Sequence, residues 1–220
     1  FPELLMNAVN GSIQSVMLPV LSEQQDDLER MKQTMRRSIM ASSFLVLPLM
    51  AGLAAVARPL VSLLLTDKWL PCVPFLQICC IDFAFYPIHT ANLQAINAMG
   101  RSDVFLKLEI VKKSYGIAIL CVTVFCFEGV KPIVWGAVVS TVISSFVNAF
   151  PNKRLIRYGY WEQLRDILPP IGMSLVMFLA VSALGRLPLG NLPLLLVQVA
   201  AGVLLYGGMS LLFKPESFRC

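Results

Sequence analysis

The chain has 220 residues, of which 57% are hydrophobic and 14% charged, with a mean hydropathy of +0.72. Soluble domains carry charge on roughly a quarter of their residues, so this composition excludes an ordinary soluble core and points to a bilayer. The net charge of +5 would suit a nucleic-acid binder, but the basic residues fall in short groups between apolar runs. That is the pattern of membrane-protein loops, and no nucleic-acid partner is expected.

Seven apolar segments follow one another: 4–22, 39–57, 69–100, 114–127, 132–152, 167–185 and 187–213. Most reach the roughly 20 residues that a helix needs to cross the hydrocarbon, and the fourth does so when extended back to Leu108. Spans of about 10 residues with alternating polarity, the mark of a membrane barrel, are not seen. The expected fold is all-α, a polytopic transmembrane bundle of about seven spans. The chain opens on Phe1-Pro2-Glu3 inside an apolar stretch, without an initiator Met or a signal peptide. It therefore reads as a fragment whose first span is incomplete, with further transmembrane chain upstream.

Between the first two spans, Ser22 with Gln25 fits a capping box, and Leu28, Met31 and Met35 form an apolar stripe, so 22–38 reads as a separate amphipathic helix. Arg58-Pro59 after the second span suits an outer-surface anchor. The third span is the most polar, with Asp82, Tyr86, Pro87, His89, Thr90, Asn92, Gln94 and Asn97. Asp82, Tyr86 and His89 share a face at i, i+4 and i+7, and Pro87 predicts a kink there. An ionisable group at membrane depth is costly and commonly functional. Asp82 and His89 are thus candidates for proton coupling, against the alternative of a hydrated Asp82 and a His89 that bonds a neighbouring helix.

Glu109, Lys112 and Lys113 begin the fourth span. The two lysines either form a cationic mouth for an anionic headgroup or snorkel to the surface. Ser140, Ser144 and Ser145 in the fifth span, and Gly202, Gly207 and Gly208 in the seventh, suit helix packing. Tyr158, Tyr160 and Trp161 read as an interfacial turn, with Pro169 and Pro170 near the start of the sixth span. The six cysteines lie mostly inside apolar runs without disulfide spacing. The single histidine has no Cys ligand at finger spacing, so neither a metal nor a cofactor is expected. Phosphate loops, metal-binding helices and nucleophile elbows are missing, which favours transport over catalysis.

Three stretches resemble a known family: Val16-Met17-Leu18-Pro19-Val20-Leu21-Ser22 with the acidic-then-basic segment to Arg36-Arg37; Leu64-Leu65-Thr66-Asp67-Lys68-Trp69-Leu70-Pro71, where Thr66 stands at a position many members fill with Gly; and Asn92 to Asp103, with Gly100-Arg101, followed by the lysines at 107–113. The pattern resembles the multidrug/oligosaccharidyl-lipid/polysaccharide exporter superfamily, and within it the lipopolysaccharide O-unit flippases of the colanic acid exporter type. The resemblance implies that 1–220 is the C-terminal transmembrane lobe of a two-lobe transporter, without a separate soluble domain. It implies movement of undecaprenyl-diphosphate-linked sugar units across the bacterial inner membrane by alternating access. The implied partners are the bilayer, the lipid-linked oligosaccharide, an N-terminal lobe and polysaccharide polymerase machinery. Substrate contact would fall to Lys112, Lys113, Arg101, Tyr86 and Asn92. Two alternatives stay open: a drug or metabolite cation antiporter of the same superfamily, and a non-catalytic membrane subunit of a polysaccharide assembly complex.

Orientation follows from the basic residues. Fourteen of the 18 Lys and Arg lie after the odd-numbered segments, around Arg30, Asp103 and Arg157 and at Lys214 and Arg219, whereas the alternate loops hold Arg58, Lys68, Lys131 and Arg186. The richer side, and with it the C-terminus, should be cytoplasmic. A cysteine introduced at Lys131 should therefore react with an impermeant thiol reagent applied to intact cells, and one at Arg157 should not. Labelling at Arg157 alone overturns the orientation.

Overall fold

The computed structural model describes residues 2–213, leaving out the side chains at 4, 5, 8–10, 12–14 and 213 and the segment 214–220 that contains Lys214, Arg219 and Cys220. Among the described residues the chain is helical throughout: α1 (Pro2–Glu23), α2 (Leu28–Ala55), α3 (Ala57–Leu65), a 3-10 turn (Asp67–Cys72), α4 (Val73–Ala84), α5 (Tyr86–Ala98), α6 (Ser102–Cys126), α7 (Lys131–Leu155), α8 (Tyr160–Leu184) and α9 (Asn191–Phe213).

Five helical runs are long and apolar enough to cross a membrane: Leu28–Ala55, Asp67–Ala98, Lys131–Leu155, Tyr160–Leu184 and Asn191–Leu212. The chain is a multi-pass membrane protein. The sequence predicts about seven spans, and the difference lies in α1 and α6. Both have crossing length, but α6 carries Asp103, Lys107, Glu109, Lys112 and Lys113 in its first half, and α1 is interrupted by Asn7, Asn10, Gln14 and other polar residues. The lipid-facing character of the bundle is written on its surface, where Phe125 is 84% exposed, Leu212 81% and Leu204 75%. A water-soluble fold would not leave such a belt uncovered.

The predicted capping box does not form. Ser22 Oγ donates to the Leu18 carbonyl at 2.9 Å, inside α1, and the N-cap of the next helix is Asp27, whose carboxylate accepts from the Arg30 N–H at 3.1 Å. Nor is 22–38 a helix of its own. The buried stripe Met31, Met35, Ile39 continues at i+4 into the span, and nothing breaks the ladder before Pro48, so α2 is a single 28-residue helix. The expected interfacial turn also differs. Tyr158 is fully buried in a core cluster with Met31, Met35, Ile88 and Ile167, whereas Trp161 is exposed. Pro169 and Pro170 lie well inside α8.

The two ends of the bundle are held by different chemistry. At one end Lys32 pairs with Glu162 at 2.9 Å and donates to the Arg157 carbonyl at 2.9 Å. There too Arg36 Nη2 reaches Asp166 Oδ1 at 2.7 Å and the Tyr158 hydroxyl donates to Asp166 Oδ2 at 2.7 Å. Burial, reinforced by Asp166, pushes the Tyr158 hydroxyl pKa well above its ordinary value, which keeps it a donor. The basic loops around Arg30 and Arg157 thus share one end, as the charge pattern requires. At the opposite end Asn191 Nδ2 donates to Ser62 Oγ at 2.7 Å, joining α9 to α3.

α9 docks through Gln198, whose amide donates to the Val181 carbonyl at 3.0 Å, and Tyr206, whose hydroxyl donates to the Phe44 carbonyl at 2.8 Å. Gly202 packs against Val181 and Met177. A Cβ at Gly207 or Gly208 would meet open space, whereas one at Gly202 would meet Val181 and Met177, so of the three expected packing glycines Gly202 is the one whose small size a neighbouring helix uses.

Thr66 joins α3 to the 3-10 turn at φ 76°, ψ 163°, a region that only glycine occupies without strain of about 1 to 3 kcal/mol. Glycine itself costs roughly 0.5 to 1 kcal/mol in chain entropy. Thr66→Gly should therefore stabilise the protein by about 1 kcal/mol, read as a higher thermal unfolding midpoint in detergent by circular dichroism. A lowered midpoint contradicts the strain argument.

Candidate functional site

Where the third span was expected to kink, the helix breaks. The carbonyl of Asp82 accepts the Phe85 N–H at 3.3 Å, and α5 restarts with Pro87 in its first turn, where a missing N–H costs nothing. The break frees α5 to pack against α7 and α6, and His89 lies on that side. A cavity of about 420 Å³ opens between α5, α6 and α7, bordered by His89, Glu109, Lys112, Lys113, Ser140 and Ser144.

The cavity's electrostatics come from α6. Lys112 pairs with Glu109 one turn earlier, and the lysine side chain is only 9% exposed. Ten residues into α6, it lies about 15 Å along the helix from Ser102, deeper than a surface loop. Lys113 is exposed and makes no ion pair among the described residues. On the α7 wall the Tyr115 hydroxyl and Ser144 Oγ are 2.6 Å apart. Asn148 Nδ2 lies 2.9 Å from His89 Nδ1.

The structure brings His89, Lys112 and Lys113 together around one cavity, keeps Tyr86 beside His89, and places Arg101, Asp82 and Asn92 elsewhere. Arg101 is exposed and engages Asp103 through two hydrogen bonds of 3.0 and 3.1 Å. These hold the Asp103 carboxyl down to about 2, so both members of the pair stay charged at ordinary pH. Tyr86 packs between Phe83 and His89, with ring centroids 6.0 and 5.9 Å away. Asp82 belongs to α4, across the break, and is not part of the cavity wall. Among the described residues its Oδ1 is buried without a hydrogen-bond partner.

Asn92 is completely buried and serves as a hub. Its Nδ2 donates to Gln163 Oε1 at 2.7 Å and to the Ile88 carbonyl at 2.7 Å, and its Oδ1 accepts from Asn152 at 2.7 Å and Gln163 at 3.0 Å. Asn152 also donates to the Asn92 carbonyl at 3.0 Å. Sequence reasoning missed Asn148, Asn152 and Gln163. The available signal was the i, i+4, i+8 spacing of Ser144, Asn148 and Asn152, which places three polar groups on one face of α7.

Comparison with known proteins bears on what such a bundle does. Residues 1–74 match the family model described as "Polysaccharide biosynthesis protein". An "uncharacterized membrane protein in cps region" of Klebsiella pneumoniae is 28% identical over 141 residues, 64% of this chain and 28% of that protein. The lipopolysaccharide biosynthesis protein WzxC of Escherichia coli (strain K12) is 25% identical over 185 residues, 84% of this chain and 37% of that protein. In structure, the chain is similar to the lipid II flippase MurJ in its inward closed conformation, with a TM-score of 0.70 at 16% identity, covering 97% of this chain and 47% of that one. The chain spans about a third of the length of these curated relatives. Its first 74 residues thus resemble polysaccharide biosynthesis proteins, most of the chain is similar in sequence to WzxC, and the fold is MurJ-like.

Interhelical hydrogen bonds in membranes are worth about 0.6 kcal/mol each on average. Asn92→Ala removes three side-chain bonds to α7 and α8 and should destabilise the bundle by about 2 kcal/mol, measured by unfolding in detergent. In a double-mutant cycle with Gln163→Ala the combined loss should fall short of the sum; strict additivity would argue against a hub.

Proposed function

We propose that this chain is the C-terminal lobe of a bacterial inner-membrane flippase, one that carries an undecaprenyl-diphosphate-linked sugar unit from the cytoplasmic to the outer leaflet. The observation that carries the reading is the cavity between α5, α6 and α7, lined by Lys112, Lys113 and Glu109, in which the Lys112 side chain is largely buried. A diphosphate is an anion that lysine holds by charge-assisted hydrogen bonds, so it can take the place of Glu109 at Lys112, and the displaced carboxylate, which is partly exposed, then turns to Lys113 at i+4 or to water. Ser140 and Ser144 add hydroxyls of the kind that meet sugars. The names of the relatives, one in lipopolysaccharide biosynthesis and one a lipid II flippase, support the same chemistry.

Within this reading Lys112 receives the headgroup, Lys113 stands at the mouth, and His89 is a coupling candidate on the cavity wall. Arg101, with Asp103, marks the cytoplasmic approach, and Tyr86 braces His89. Alternating access needs a second wall, which the remainder of the longer protein supplies. One observation favours cation antiport as the second reading: the buried, unpartnered Asp82 Oδ1, since a lone carboxyl at membrane depth is a natural site for a proton or an organic cation.

Flipping of a labelled lipid-linked sugar by the full-length protein in liposomes tests the assignment. Lys112→Gln should lower the rate by roughly tenfold or more, the worth of a charged contact of about 1.5 to 3 kcal/mol, while Lys113→Gln stays near normal and Glu109→Gln binds headgroup at least as tightly. Normal flipping in both lysine variants and in the double variant removes them from the mechanism. Asp82→Asn blocking cation exchange while Lys112→Gln does nothing favours the antiporter. A wild-type protein that moves neither substrate points to a non-catalytic subunit of an assembly complex.

A further inference from the structure

A second cavity, of about 760 Å³, is larger than the first and different in kind. It is a groove between α2, α4, α7 and α8, well within the roughly 300 to 1,000 Å³ of small-ligand sites. Its walls are apolar along most of their length, and the Gln77 amide is turned away to donate to the Ala54 carbonyl at 3.0 Å. Leu47, Ala84 and Ile171 lie at one end. Lys131 and Trp135, on the first turns of α7, lie at the other. Lys131 is exposed and forms no ion pair among the described residues.

Helix direction fixes what this groove spans. α4 enters it at Pro74 and leaves at Ala84, a rise of about 15 Å, which is half of the roughly 30 Å hydrocarbon thickness. Lys131 belongs to the sparsely charged end of the bundle, and the groove descends from it towards the bilayer midplane. Wide openings to lipid flank it, since Ile81, Trp135 and Leu175 are all half exposed.

We propose that the groove holds one acyl chain of an anionic glycerophospholipid from the outer leaflet, with the phosphate at Lys131 and Trp135 at headgroup level. The depth matches one leaflet, so an acyl chain fits where the longer tail of a polyisoprenyl carrier would project beyond the groove. The unmatched cation at the mouth selects an anionic headgroup over a zwitterionic one. This assignment requires that α2, α4, α7 and α8 lie in a bilayer with the Lys131 end outward, as the basic residues orient the chain, and it stands independently of the transport reading.

The test uses the full-length protein in nanodiscs of phosphatidylethanolamine doped with phosphatidylglycerol or phosphatidylcholine carrying a photoreactive group on the acyl chain, with labelled peptides mapped by mass spectrometry. Phosphatidylglycerol should label the segments 47–54, 74–84 and 171–178 in preference to other exposed helix faces. Lys131→Glu should cut the preference for phosphatidylglycerol over phosphatidylcholine roughly fivefold or more, the worth of one basic residue beside an anionic lipid. Ile81→Trp, which fills the groove from an exposed position, should abolish labelling by both probes while the protein stays monodisperse in size-exclusion chromatography. Label spread evenly over exposed faces, groove segments left unlabelled because the rest of the protein covers them, an unchanged headgroup preference in Lys131→Glu, or displacement by a polyisoprenyl phosphate at lower concentration than by phosphatidylglycerol would each overturn the assignment.

Discussion

Inside a membrane, a side-chain amide that loses its partner has no water to turn to. That constraint gives the Asn92, Asn152 and Gln163 cluster its importance. The three groups are completely buried, and their bonds join α5, α7 and α8 near the end of the bundle where Tyr158, Asp166 and Arg36 form the next polar layer. Apolar contacts alone would let these helices slide, because lipid tails are as good a neighbour as leucine. Directional amide bonds fix their register, and the cavities inherit that register.

The break at Phe85 is the second determinant. A straight helix through 73–98 would put Asp82, Tyr86 and His89 on one face. Ending α4 and restarting α5 parts Asp82 from the other two: Tyr86 stays beside His89, which faces Asn148 and the Lys112 cavity, while Asp82 remains on the other side of the break. The same break leaves α4 to wall the large apolar groove. One proline therefore divides the span between a cationic cavity and a greasy one, and the two open towards different helices.

Much of the architecture was legible in the chain. Helical class, membrane residence and the shared end of the basic loops follow from apolar run lengths and Lys/Arg placement, because the bilayer demands about 20 apolar residues and satisfied backbone groups of any span. The kink was legible from Pro87, since a missing N–H acts locally. Helix boundaries were less so: Ser22 looked like a cap, but Asp27 won that position, and the Met31, Met35, Ile39 stripe overrode the apparent boundary at Ser38. The count of spans differed because α6 begins with charges that composition alone spreads across loop and helix, and because polar residues interrupt α1.

The sequence by itself determined what each residue type must avoid: apolar runs avoid water, lysines avoid lipid, and proline avoids the middle of a straight helix. Those are properties of one residue and its chain neighbours. Which polar groups meet was decided by the tertiary structure alone. Asn92 read as a substrate contact and became a hub because Asn152 and Gln163, distant in sequence, converge on it. Lys112 and Lys113, about 100° apart around the helix, could not both point straight into one cavity, and which of them would do so was decided by the packing of α6 against α5 and α7, which buries the first beside Glu109 and leaves the second exposed at the cavity's rim. A partner contributed by another helix leaves no trace in local spacing, so only packing could assign it.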